Sequence, residues 1–222
     1  MFTTETQSSR ADAPLVQGTR LPPSREYLDR LFDALDRSDV GSEVSFREQV
    51  HAIHAFAREQ NFQRILEVGL GIGGSAVHVL DATSGRLTTV DPHQRTLYKN
   101  RGIDNLQRAG FADRVEFFET YSALALAHLT AKNRQFDFIY IDGSHRFDDA
   151  FVDFYFADYL CPVGGYILLD DGLMPAVSRI AAFIETNRSE NYERLPKLYP
   201  GGILFRKTVG FDSRKWDHYV EF

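Results

Sequence analysis

Glu67-Val68-Gly69-Leu70-Gly71-Ile72-Gly73-Gly74, written EVGLGIGG, is the stretch on which the reading of this chain turns. It closes a short β-rich run, RILEVGL, and opens a helical pattern, GIGGSAVHVLDAT. Glycines at a strand-to-helix turn let the backbone approach a ligand, and the helix start offers free N–H groups. Strand and helix alternate from there onward. GRLTTVDPHQ reads as a strand ending at Asp91-Pro92, TLYKNRGIDNLQRAG as a helix stopping at Gly110, and RVEFFET as a third strand. YSALALAHLTAKN is helical, FDFIYIDGS a fourth strand, RFDDAFVDFYFADYL a helix, and GYILLDDG a fifth strand after a CPVGG turn. PAVSRIAAFIETN continues as a helix with Pro175 in its first turn. YERLPKLYP and GGILFRK then form two strands around Pro200-Gly201-Gly202, an antiparallel pair. Alternating strands and helices imply an α/β, Rossmann-like, mostly parallel seven-stranded sheet with helices on both faces and an antiparallel hairpin at its end.

Ahead of this unit, Ser24 caps a helix over SREYLDRLFDALDR, and Ser45-Phe46-Arg47-Glu48 fits a capping box that opens a second. The pattern divides the chain into a polar arm at 1–22, a helical cap at 23–61, the alternating domain at 62–208 and an aromatic tail at 209–222. The tail carries Phe211, Trp216, Tyr219 and Phe222, which fits docking onto the domain, a lid, or a second copy of the chain. The amino-terminal helices are the other place for a homo-oligomer contact.

The 222 residues suit one large α/β domain, and the 18 phenylalanines suit a packed aromatic core. A formal net charge of -6 argues against a nucleic-acid partner. The start of the sequence has no apolar signal segment and no run approaches a membrane span, so the expectation is a cytoplasmic protein with no membrane partner. The single cysteine, Cys161, excludes an intrachain disulfide and reads as a small buried hydrophobe.

Two ligand readings fit the glycine turn. Gly69, Gly71 and Gly74 satisfy G-x-G-x-x-G, a dinucleotide fingerprint. Glu67, Gly69, Gly71 and Gly73 satisfy E-x-G-x-G-x-G, which resembles the class I S-adenosylmethionine (SAM)-dependent methyltransferases. Asp91, ending the second strand, suits a ribose hydroxyl in either case. An acid two residues before the first glycine is unhelpful near a pyrophosphate, and the closing hairpin stands where a dinucleotide fold would wind on. Both favour SAM. Ser122, after the third strand, is placed either to reach an adenine or to cap its helix.

The fourth and fifth strands stop at acids: Asp142 in YIDGSHRF, and Asp170-Asp171 in LLDDG. In a parallel sheet the carboxyl ends of neighbouring strands open onto one crevice, which brings the three carboxylates together. Three such groups repel, and take up protons or a cation. Hard oxygen ligands with open positions suit magnesium or another divalent cation, able to bind two neighbouring oxygens of an acceptor and acidify one. His145, three residues after Asp142, then accepts that proton.

IDGSH, a helix and GGYILLDD together resemble the SAM-dependent O-methyltransferases related to catechol O-methyltransferase, and more closely the macrocin and mycinamicin sugar O-methyltransferases. The likeness covers about residues 62–208. It implies Asp142, Asp170 and Asp171 as metal ligands, with Asp142 also beside the cofactor, and His145 as the base. The expected activity is SAM- and metal-dependent O-methylation of a small-molecule acceptor with adjacent oxygens: a sugar diol, catechol or hydroxy-acid of natural-product type. The rivals are a nicotinamide-dependent oxidoreductase, a SAM-binding protein without methyl transfer, and a metal-independent methyltransferase relying on His145 alone. Cephalosporin hydroxylase-like relatives of the pattern show that fold likeness does not fix the reaction. His51 and His54, three apart on a helix, read as surface or packing residues, and Asp148, Asp149, Asp153 and Asp158 as the solvated side of theirs.

Overall fold

The computed structural model describes residues 23–38 and 43–222, with side chains from 46 onward in the second segment. The polar arm at 1–22 lies outside the described residues, as does the Ser45 side chain proposed to cap the second helix. The elements run α1 (Arg25–Asp33), α2 (Glu43–Gln60), β1 (Arg64–Val68), α3 (Gly74–Ala82), β2 (Arg86–Val90), α4 (Arg101–Arg108) and β3 (Val115–Phe118). They continue as α5 (Ser122–Ala131), β4 (Phe138–Ile141), α6 (Phe147–Leu160), β5 (Tyr166–Leu169), α7 (Pro175–Asn187), β6 (Tyr192–Arg194) and β7 (Ile203–Lys207). Among the described residues no helix is long and apolar enough to cross a membrane.

One seven-stranded sheet has the order β3-β2-β1-β4-β5-β7-β6. The first five strands are parallel, while β7 runs antiparallel to both β5 and β6. Both faces of the sheet are covered, so its strands are apolar at successive positions rather than at alternate ones. Phe138 and Tyr140 of β4 face the cluster built by α1 to α4, and Ile139 and Ile141 face the cluster built by α5 to α7. The cap helices share the first of these cores: Phe32, Val50 and Ile53 are fully buried there.

Strand order reverses between β1 and β4, where an α/β sheet opens a crevice at its carboxyl edge. Register aligns that edge. Val68 pairs with both Val90 and Ile141, and Ile141 with Leu169. The next residue on each strand is Gly69, Asp91, Asp142 and Asp170, so the sequence motifs emerge side by side.

Several expectations are revised. The fourth helix begins at Arg101 instead of Thr96, because 93–100 is a series of turns in which Lys99 and Asn100 take positive φ. The second helix begins at Glu43, two residues before Ser45. Ser24 does cap α1, accepting from the Tyr27 N–H at 3.2 Å. The tail lies along α7: Asn187 donates to the Val220 carbonyl at 2.7 Å and accepts from its N–H at 2.8 Å, and Phe222 packs on Phe183.

Candidate active site

A cavity of about 550 Å³ opens at the carboxyl edge of β1, β2 and β4. Gly69, Gly71, Asp91, Ser122, Asp142 and His145 all line it. Gly69 has φ +91, and a Cβ there would stand 2.1 Å from the Asp142 carbonyl oxygen. Only glycine lets the first loop lie this close to the start of the acidic one. Gly74 opens α3, and a Cβ on it would meet the Phe46 ring at 2.4 Å. Phe46 of α2 therefore rests directly on the helix start and forms a wall of the cavity.

Asp91 is the hinge of the glycine loop. Its carboxylate accepts from the Gly71 N–H at 2.9 Å, the His93 N–H at 2.7 Å and Gln94 Nε2 at 3.0 Å. Gln94 is fully buried and also donates to the Gly71 carbonyl, an anchor that the polar run after Pro92 did not advertise. Glu67 lies beneath the cavity instead of lining it. It accepts from the hydroxyls of Ser75 and Thr89, and burial pushes its carboxyl up to about 8 despite those bonds. Through those two hydroxyls it braces β1, β2 and α3. Ser122 is the first residue of α5, with Tyr121 at the cap position; it lines the cavity, and its hydroxyl also lies near Asp153.

Asp142, His145 and Asp171 each place one ligand atom within 4.8 Å of the others. His145 Nε2 lies 3.0 Å from Asp171 Oδ2 and 3.8 Å from Asp142 Oδ1. Asp171 takes φ +51, a left-handed conformation uncommon for a side-chain-bearing residue, which turns the chain sharply after β5. Burial, followed by the charges of Asp170, Glu67 and Asp171, holds the Asp142 carboxyl well above the usual range. Burial and Asp170 also raise Asp171. This corner is short of positive charge, and carboxylate oxygens beside an imidazole are donors that a hard divalent cation accepts. The residues fit such an ion.

Asp170 stands apart from that group of three. It is 7% exposed, and its oxygens accept from the Tyr140 hydroxyl at 2.8 Å, the Tyr199 hydroxyl at 3.0 Å and Gln49 Nε2. Sequence reasoning missed these three partners. The only cue was a tyrosine, instead of an aliphatic residue, two positions before Asp142 in a buried strand.

Two of the acids assigned to a solvated helix side are not solvated: Asp153 is buried and Asp158 is half-buried. Asp153 is 1% exposed beneath Gly143, with neither oxygen in an aligned hydrogen bond. Burial pushes it up to about 6, against the nearby Ser122 hydroxyl, which holds it down. Asp158 is enclosed by Arg188, Lys207 and the Tyr192 hydroxyl. Helical periodicity failed there because α6 packs against both α5 and α7. His51 and His54 are packing residues, buried against His78 between α2 and α3. Cys161 is buried, and its thiol is pushed up to about 12, which keeps it protonated.

Residues 66–172 match the protein family described as a methyltransferase domain. This segment is similar to that family. It runs from β1 through the turn after β5 and so contains the glycine loop, Asp91, Ser122, Asp142, His145 and both terminal acids. The chain is 28% identical over 174 residues to the O-methyltransferase hkm8 of Aspergillus hancockii, covering 77% of this chain and 67% of that protein. It is also 28% identical over 120 residues to highly reducing polyketide synthase 40 of Fusarium mangiferae, a match that spans 47% of this chain and only 5% of that one. An O-methyltransferase from Bacillus cereus, solved in complex with SAH, superposes with a TM-score of 0.64 at 22% identity, covering 85% of this chain and 93% of that one. The fold is the Rossmann-like methyltransferase fold. Elements outside the matched segment, α1, α2, β6 and β7, complete the first core and the sheet edge.

Proposed function

We propose that the chain is a SAM-dependent O-methyltransferase, assisted by a divalent cation, acting on a hydroxyl of a small molecule with adjacent oxygens. The observation that carries this reading is a juxtaposition: Asp142 and His145 line the same cavity as Gly69, Gly71 and Asp91, so an acid and imidazole corner opens onto the glycine-loop pocket. The likenesses to hkm8 and to part of a polyketide synthase support transfer to oxygen and an acceptor of natural-product type.

SAM supplies an electrophilic methyl on its sulfonium, and a magnesium-type cation supplies charge that acidifies the acceptor hydroxyl. The chain's own residues do the rest. The glycine loop and Asp91 hold the nucleoside end, and Ser122 with the first turn of α5 lies beside it. Asp142 and Asp171, with Asp170 behind them, hold the cation; His145 Nε2 takes the acceptor's proton. Phe46 and Tyr98 wall the cavity and exclude water. Alignment of the two reactants is the main gain available to such a displacement. The catalytic unit is taken as 62–208, with 23–61 as its cap.

Calorimetric titration with SAM and, separately, NAD tests the cofactor: saturable binding of SAM is expected, and binding of NAD alone overturns the reading. Asp142→Ala and treatment with a chelator should each abolish methylation of diol and catechol acceptors while SAM still binds. Full turnover under chelation would return the acids to a structural role.

A further inference from the structure

The acidic corner is held from behind by Tyr140 of β4 and by two residues outside the matched segment, Gln49 and Tyr199. Gln49 of α2 donates one amide hydrogen to the Tyr140 hydroxyl at 2.7 Å and the other to Asp170 Oδ2. Tyr140, 2% exposed, is 2.8 Å from Asp170 Oδ2 and 3.2 Å from Asp142 Oδ2. Its hydroxyl donates to both carboxylates, more closely to Asp170. Tyr199, 6% exposed and on the 195–202 connection, donates to the other oxygen of Asp170 at 3.0 Å. Asp170 thus receives three donors from three parts of the fold: the cap, the fourth strand and the loop before β7.

We propose that Gln49, Tyr140 and Tyr199 are positioning residues for the cation: they lock Asp170, set Asp142 through the shared Tyr140 hydroxyl, and make the α2 cap part of the site. The inference rests on the cation reading above. A carboxylate with three fixed donors cannot swing to follow a ligand, and it keeps its charge at one place. Asp142, 28% exposed at the side chain, and Asp171, 46% exposed, remain the open arms toward the cavity. Because α2 also carries Phe46 onto the start of α3, one helix touches both the cofactor cavity and the anchored acid. The family match begins after α2 and ends before Tyr199, so Gln49 and Tyr199 lie outside it while Tyr140 lies within.

The test uses the full chain and Mn²⁺ as probe, followed by electron paramagnetic resonance or calorimetry, with SAM affinity measured in parallel. Tyr140→Phe, Gln49→Leu and Tyr199→Phe are each expected to weaken Mn²⁺ binding about 10- to 100-fold, the range for lost outer hydrogen bonds at metal sites. SAM affinity should move by less than about twofold in each. Tyr166→Phe is the control, since it deletes the same atom at the opposite end of β5, where the hydroxyl meets Gln60 at 3.0 Å. It should leave Mn²⁺ affinity unchanged. If Tyr140→Phe does not fold, Tyr199→Phe and Gln49→Leu carry the comparison. Wild-type binding of Mn²⁺ with variants equal to wild type overturns the positioning role alone. No Mn²⁺ binding by wild type overturns the cation reading and with it this inference.

Discussion

Acids at two places in the fold, Asp158 on α6 and the group at the carboxyl edge of the sheet, are treated oppositely. Around Asp158 stand the Arg188 guanidinium at 2.9 Å, the Lys207 ammonium at 3.0 Å and the Tyr192 hydroxyl at 2.6 Å. Burial alone would raise the Asp158 carboxyl, but those three partners outweigh it and hold it below the usual range. At the cavity, Asp142, Asp170 and Asp171 converge with one imidazole and no arginine or lysine ion pair among the described contacts. Asp142 and Asp171 are raised instead. Where an acid is architectural, the fold provides its counter-charge. At the cavity, on the function proposed above, the missing charge is the opening for a ligand.

The sharpest way to break this contrast is Asp158→Asn. Leaving Arg188 and Lys207 buried without their partner should cost about 3 to 5 kcal/mol in urea unfolding at pH 7. The sign with pH follows from the depressed carboxyl: its contribution is present above about pH 4 and is lost as pH falls through the folded value. Asp153 goes the other way. Raised to about 6, it makes the folded state the better proton binder, so stability falls as pH rises from about 4 to about 6. Asp153→Asn should remove that slope and gain roughly 3 kcal/mol at pH 8, the gap between about 6 and an ordinary carboxyl. A flat wild-type profile over that range would show that the buried acid is compensated after all.

Mn²⁺ at about 100 times its dissociation constant should stabilise the wild type by about 2.7 kcal/mol and leave Asp142→Asn unmoved. Equal stabilisation of both would place the ion elsewhere. Without the cation, Asp142→Asn should leave stability unchanged or slightly raised, in direct contrast to Asp158→Asn. The smallest effect is expected at Asp212, which Arg214 holds below the usual range, largely by their hydrogen bond, at a site 41% exposed. Asp212→Ala should cost under about 1 kcal/mol, as exposed pairs do.

The alternation of strand and helix was legible because both-face burial writes continuous apolar strands and amphipathic helices into the chain. EVGLGIGG and the acids ending FDFIYID and YILLDD marked the working edge, since a buried strand that stops at a charge has reached solvent or a site. What periodicity could not show was which polar residues turn inward. Asp153 and Asp158 sit at positions that a two-layer helix would expose, yet α6 is packed between α5 and α7. Glu67 lies in a motif that suggests contact with a ligand, yet its side chain faces two hydroxyls below the loop.

By itself the sequence determined the sheet, its glycine turn and the pairing of Asp142 with Asp170-Asp171, because strand ends are local facts and parallel register carries them to one edge. The tertiary structure alone divided the acids. Asp171 turned outward toward His145 on a left-handed backbone, while Asp170 turned back to Gln49, Tyr140 and Tyr199, residues far apart in the chain. Adjacent residues of a strand end point to opposite sides, and only packing decides which side is filled.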